Sequence, residues 1–204
     1  MTAQFHDSVW YQSRRYALVN VNGKGLPTPK DFGMQPVMMS TGCYRGYVSE
    51  YSVIEQKLIL TNMTVRAKDG NYRAINGVKP KVDDLLPESI RKKIQNLPNR
   101  YENLQVLVSF SGNLLTAIDF IEEMYVHLGF QRPTSYRTVI ELVFDNAQLV
   151  STTDHSRMMA RIRDRLDEAQ AVAKARGSRK MLTFEDLEEW REWVSEVNYR
   201  WSVG

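Results

Sequence analysis

Apolar and polar positions follow two different rhythms along this chain, and the change comes near residue 152. Before it, the apolar residues mostly recur at every second position or in short runs. Residues 14–21, RRYALVNV, set Tyr16, Leu18 and Asn20 against Ala17, Val19 and Val21, which predicts a strand apolar on both faces. Residues 44–54 and 58–65 are rich in Tyr, Val, Ile and Thr. The polar triplet Glu55-Gln56-Lys57 separates them, which predicts a β-hairpin. Gly46 inside the first of these runs signals a bulge or a close backbone approach. Residues 104–110, LQVLVSF, read as a buried strand, followed by a turn at Ser111-Gly112-Asn113. Residues 114–120 fit a continuing strand and residues 118–127 fit a turn or two of helix; periodicity alone leaves both open. Residues 136–144, YRTVIELVF, are the clearest strand and turn through Asp145-Asn146-Ala147 into a second hairpin.

Breakers separate these elements. Residues 22–33 carry three glycines and two prolines, and residues 68–81 carry Asp69-Gly70 and Asn76-Gly77; both predict loops. Between residues 83 and 96, acidic caps, Pro87 and the spacing of Ile90, Ile94 and Leu97 predict one short helix ending before Pro98.

From residue 153 the period lengthens. Met159, Ile162, Leu166, Ala169 and Ala173 are spaced 3, 4, 3, 4, and Gly177 follows as a helix terminator. Thr183 and Asp186 form an approximate capping box. Leu187, Trp190, Val194, Val197 and Trp201 then repeat the same spacing. Two amphipathic helices joined by a short turn make an αα-hairpin. The first helix is basic and the second acidic. The predicted fold class is therefore α+β: an antiparallel β-sheet with a short helix over residues 1–152, and a C-terminal helical hairpin over 153–204 packed on it within the same domain.

Composition narrows the function classes. The 204 residues, 43% hydrophobic and 25% charged, are ordinary for a folded domain with a sizeable core. A net charge of +3, from 27 basic and 24 acidic residues, is too balanced to argue for nucleic acid or an anionic membrane. One cysteine excludes an internal disulfide, and the three histidines are scattered, so no metal spacing appears. No run of about eighteen apolar residues predicts a membrane span, and the N-terminal residues contain no apolar leader segment; the expected location is cytoplasmic. P-loop, dinucleotide-fingerprint, zincin and nucleophile-elbow patterns do not occur, and no cofactor is expected.

Four features remain as candidate chemistry. Cys43 with a distant histidine has the residue types of a nucleophile and base, but it has no local signature and is expected to be a packed strand-end residue. Tyr44-Arg45-Gly46 resembles the first-strand arginine motif of arginine-specific ADP-ribosyltransferases, in which that arginine helps to hold NAD. Ser109-Phe110-Ser111 can imitate that family's Ser-x-Ser motif, whereas the Glu-x-Glu motif has no counterpart at Glu122-Glu123 or at Glu141. The alternative is a structural arginine stacked among aromatic rings. Arg157, Arg161 and Arg165 form a ridge at i, i+4 spacing, expected to pair with the acidic second helix rather than with phosphates. The aromatic residues Tyr44, Tyr47 and Tyr51, with Trp193 lying off the strict apolar seam, suggest an exposed binding surface with Arg45.

The run MMSTGCYRGYVSEYSVIEQKLILTNMTV, with FSGNLLTAIDFI, YVHLGF and YRTVIELVFDNAQLV after it, resembles a group of small bacterial proteins. They share a Trp/Tyr-Arg-Gly-Tyr strand and a later Glu-Leu-x-Phe strand. Proteins of this size and mixed character include neutralising partners of bacterial toxins. The leading expectation is therefore a non-catalytic protein-binding module with a protein partner, such as an immunity-type protein that occludes a toxin. An NAD-using transferase centred on Arg45 is the alternative.

Overall fold

The computed structural model describes residues 2–82 and 97–199. The helix expected over residues 83–96 and the expected core position Trp201 lie outside the described residues. Among the described residues ten strands occur: β1 (Asp7–Tyr11), β2 (Arg14–Lys24), β3 (Tyr47–Ile54), β4 (Lys57–Val65), β5 (Lys81–Val82), β6 (Asn99–Tyr101), β7 (Val106–Leu107), β8 (Ser111–Phe120), β9 (Tyr136–Asp145) and β10 (Gln148–Asp154). Two helices follow, α1 (Ser156–Ala175) and α2 (Glu188–Glu196). The α+β class expected from the sequence is what the chain adopts.

Three hairpins organise the sheet. Their two-residue turns, Gln12-Ser13, Glu55-Gln56 and Asn146-Ala147, hold both central residues at positive φ, between 44° and 72°. That geometry matches the right-handed twist of the flanking strands. None of the turns carries the Asn-Gly or Asp-Gly pair that would advertise it. The β1–β2 hairpin was not predicted: β1 is five residues long, too short for its alternation to stand out.

The strands run in the spatial order β10-β9-β8-β2-β1-β3-β4-β6-β5, with β7 also on β4. All pairs are antiparallel except β1–β3, which is parallel. A further antiparallel pairing of Gln148 with Lys57 joins β10 to β4 and closes seven strands into a ring. The ring encloses the main core: Val9, Leu18, Tyr51, Leu58, Leu60, Met63, Leu114, Leu142 and Phe144, with Tyr101, Leu104 and Phe110 filling from the β6–β8 segment. Alternate residues of β8 and β9 point outward. Leu115, Ala117, Tyr136 and Val139 meet Met159 and Ile162 of α1 and Trp190 and Trp193 of α2 in a second cluster. The C-terminal helices thus cover the outer face of β8 and β9.

Several local expectations need correction. The strand expected over residues 104–110 shrinks to the two residues of β7, although Leu104, Val108 and Phe110 are buried. Ser111-Gly112-Asn113 is not a turn but the start of β8. Gly112, at φ 137°, lies opposite Gly23 of β2, and a Cβ on either would strike the facing backbone. The glycines mark a close strand approach, not a reversal. For the same reason β2 extends through Gly23 into what reads as a loop. Residues 114–120 continue the sheet, while Glu122–Met124 form a 3₁₀ turn. The Thr183–Asp186 capping box is present but caps a 3₁₀ turn, and α2 begins two residues later.

Candidate functional site

Arg45 sits in the bend that leads into β3. Its guanidinium forms two parallel bonds to Asp7 at the start of β1, Nη1 to Oδ2 at 2.9 Å and Nη2 to Oδ1 at 2.6 Å. Its Nε donates to the Tyr47 carbonyl at 2.8 Å, and its Cζ lies 4.8 Å from the Tyr47 ring centroid. The Ser49 backbone N–H adds a bond to Asp7 Oδ1. Burial pushes the Asp7 carboxyl upward, against the pull of Arg45 and of that N–H. Paired charges with a planar, bidentate fit are the form in which a buried ion pair is tolerated. The bend depends on Gly46, at φ 79°, where a Cβ would collide with the Val37 backbone. The close approach signalled by the sequence is real.

His6 borders this pair. Its Nδ1 bonds the Leu18 carbonyl at 3.0 Å, and its Nε2 accepts from the Gln131 N–H at 3.2 Å. These partners fix the neutral Nδ1–H tautomer. Burial lowers its pKa to about 4, with Arg45 adding to the shift and the Leu18 carbonyl opposing it. His6, Asp7, Leu18, Val21, Arg45 and Phe130 line a cleft of about 190 Å³ at this end of the ring.

The sequence-predicted site residues separate on folding. Tyr44 is exposed and Tyr47 half-buried beside Arg45. Tyr51 points into the ring core at 1% exposure, and burial drives its phenol far up; it is not part of a surface. Trp193 is likewise corrected. It is 1% exposed, because it lies only ~60° around the helix from Trp190 and the apolar stripe of α2 is wide enough to include both. Cys43 is buried and donates to the Tyr47 carbonyl at 3.3 Å, and burial pushes its thiol up, away from a reactive thiolate. Ser111 pairs with Lys24, six residues along β2 from Leu18, whereas Asp7 pairs with Leu18. Ser111 is therefore ~20 Å from the Arg45 end. Glu141 projects to the outer layer. The fold does not bring the transferase-like motifs together.

A second buried polar set lies under α2. The Trp193 Nε1–H donates to His155 Nδ1 at 3.2 Å, and His155 Nε2 meets Glu141 Oε2 at 3.3 Å. An indole N–H only donates, so Nδ1 is the acceptor and neutral His155 carries its proton on Nε2, aimed at Glu141. Asn113 supplies a further bond to Glu141 at 2.7 Å. Sequence reading missed His6, Asp7, Glu141 and His155. Glu141 alone interrupts an apolar run, His6 and Asp7 are neighbours in a mixed segment and His155 lies in a polar one, so nothing local marks them, and their partners come from other elements. Among the described residues, no group of three or more His, Cys, Asp or Glu is placed to hold a metal ion, and no helix is long and apolar enough to cross a membrane.

The Arg45 end also carries four exposed large apolar side chains. The N-terminal segment bridges two loops there. Gln4 N–H bonds Gly129 O, Phe5 N–H bonds Gly42 O, and the Gln4 side chain reaches both Thr41 O and Tyr44 N–H. On this frame Phe5 is 59%, Met38 50%, Tyr44 43% and Leu128 38% exposed, and the Phe5 ring lies over Gly42. No protein-family model, curated protein or solved structure matches the chain significantly.

Proposed function

We propose that this protein is a non-catalytic protein-binding module, and that Phe5, Met38, Tyr44 and Leu128 form its docking face. The observation that carries the reading is this set of large apolar side chains exposed together on a hydrogen-bonded frame. Grouped exposed apolar residues on an ordered surface are the usual mark of an interaction site, and aromatic anchors supply much of the binding energy at such sites. Arg45 and Asp7 support the face from beneath, because their bonds fix the bend carrying Tyr44. An immunity-type role, in which the face occludes a toxin, is the particular form to be tested. Co-expression with a toxin encoded beside its gene should restore growth. Phe5→Asp and Tyr44→Asp should abolish the rescue and weaken binding at least tenfold while leaving the melting temperature within about 2 °C. Rescue unchanged by either substitution would remove the face from the reading.

One observation favours an NAD-using transferase as a second reading: Arg45 does line a cleft. Its volume, near 190 Å³, falls below the roughly 300–1,000 Å³ of ordinary ligand pockets, and the guanidinium is engaged by Asp7 and Tyr47. Calorimetry with NAD and a labelled-NAD transfer assay decide between the two. Saturable binding, or transfer that depends on Arg45, would make the enzyme reading the first.

A further inference from the structure

Among the described residues, only Arg165 of the α1 arginine ridge finds the partner on the acidic helix expected of it. Arg165 bonds Glu168 of its own helix and Glu189 of α2, but Arg157 and Arg161 make no ion pair among the described residues. Both are exposed, as are Asp164 and Glu168 further along the helix. At 100° per residue, Arg157, Arg161, Asp164 and Glu168 fall within ~60° of arc, directly opposite the buried Met159 and Ile162. The stripe therefore reads plus, plus, minus, minus. Within one helix this order sets like charges at i, i+4, Arg157 beside Arg161 and Asp164 beside Glu168, which is mildly unfavourable.

The same order is self-complementary. Inverted about its midpoint between residues 162 and 163, the stripe sets Arg157 against Glu168 and Arg161 against Asp164, and the reverse, in four opposite-charge pairs. A two-fold axis produces that inversion when two copies of α1 lie antiparallel. An isologous contact requires a patch that is complementary to itself, which a uniformly basic or acidic ridge is not. We propose that α1 is a self-association surface and that its occupant is a second copy of this chain, packed antiparallel along Arg157, Arg161, Asp164 and Glu168. The surface is separate from the docking face proposed above. Exposed ion pairs are weak and screened by salt, so the dimer is expected at protein concentrations on the order of 100 µM in low salt and should dissociate in about 0.5 M NaCl.

Sedimentation equilibrium on the full chain tests the pairing. The parent should be dimeric in low salt. Arg157→Glu/Arg161→Glu, with a wholly acidic stripe, and Asp164→Arg/Glu168→Arg, with a wholly basic one, should each be monomeric. An equimolar mixture of the two should form a heterodimer at least tenfold tighter than the parent dimer, because the like-charged approaches of Arg161 to Arg161 and of Asp164 to Asp164 across the parent's axis are then opposite in sign as well. That recovery separates lost complementarity from lost folding. Tyr44→Asp should leave the mass unchanged, so failure here is distinguishable from failure of the functional reading. A monomeric parent, a dimer indifferent to both charge reversals, or charge-reversed variants that do not associate would each overturn the proposal. So would a monomeric parent that binds duplex RNA and loses it with the two arginines, which would make the ridge a phosphate contact.

Discussion

Two buried polar sets hold this protein together, and they differ in kind. At one end of the strand ring, Arg45 and Asp7 pair as full charges, and their other bonds go to Tyr47 O and Ser49 N–H, backbone groups a few residues from Arg45. Under α2, Trp193, His155 and Glu141 form a chain in which the imidazole passes a neutral donor on to a carboxylate. These three come from α2, the residue before α1, and β9, so this set reports whether the C-terminal layer has docked. The first set braces a loop; the second joins layers. Damage to the first strands a charge, whereas loss of the indole N–H strands a neutral acceptor.

The largest expected effect follows from that difference. Asp7→Ala leaves the Arg45 guanidinium without its counter-charge and should destabilise by about 3–5 kcal/mol in urea denaturation. Asp7→Ala/Arg45→Met, which removes both charges, should cost less than the single change. If the double variant is the worse of the two, the pair is not the unit described here.

Acid should act on the same end through His6. Its folded pKa of about 4 lies below the ordinary histidine value of 6.5, so the unfolded chain takes up a proton first as pH falls. Its contribution is complete above about pH 6.5 and is lost progressively toward pH 4, a change of about 3 kcal/mol. His6→Gln should flatten the parent's stability profile between those limits. Superimposable slopes for parent and variant would show that His6 does not carry this dependence.

The smallest effect belongs to the layer-joining set. Trp193→Phe keeps a ring in the outer cluster but removes the donor to His155 Nδ1, which should cost about 1–3 kcal/mol. Because the loss lies between layers, exchange of α2 amides should accelerate more than that of β3 or β4 amides. Uniform acceleration across the chain would mean that α2 and the ring unfold as one unit.

The sequence by itself determined the class of the fold and the faces of its longest elements. Period-two alternation placed the cores of β2, β3, β4 and β9, and the 3, 4 spacing placed Met159, Ile162, Leu187, Trp190 and Val197 against the sheet. Such patterns are legible because one face of each element must leave water wherever it packs. Tertiary structure alone decided that Gln148 meets Lys57 to close the ring, that β1 runs parallel to β3, and that Gly23 and Gly112 face one another inside a sheet. It also decided the polar sites. Arg45 was visible as an unusual residue between tyrosines, but Asp7 lies 38 positions earlier, and Trp193 lies 38 positions after His155. A buried polar group is held by whichever partner the packing delivers, and over such separations neither spacing nor periodicity records which partner that is.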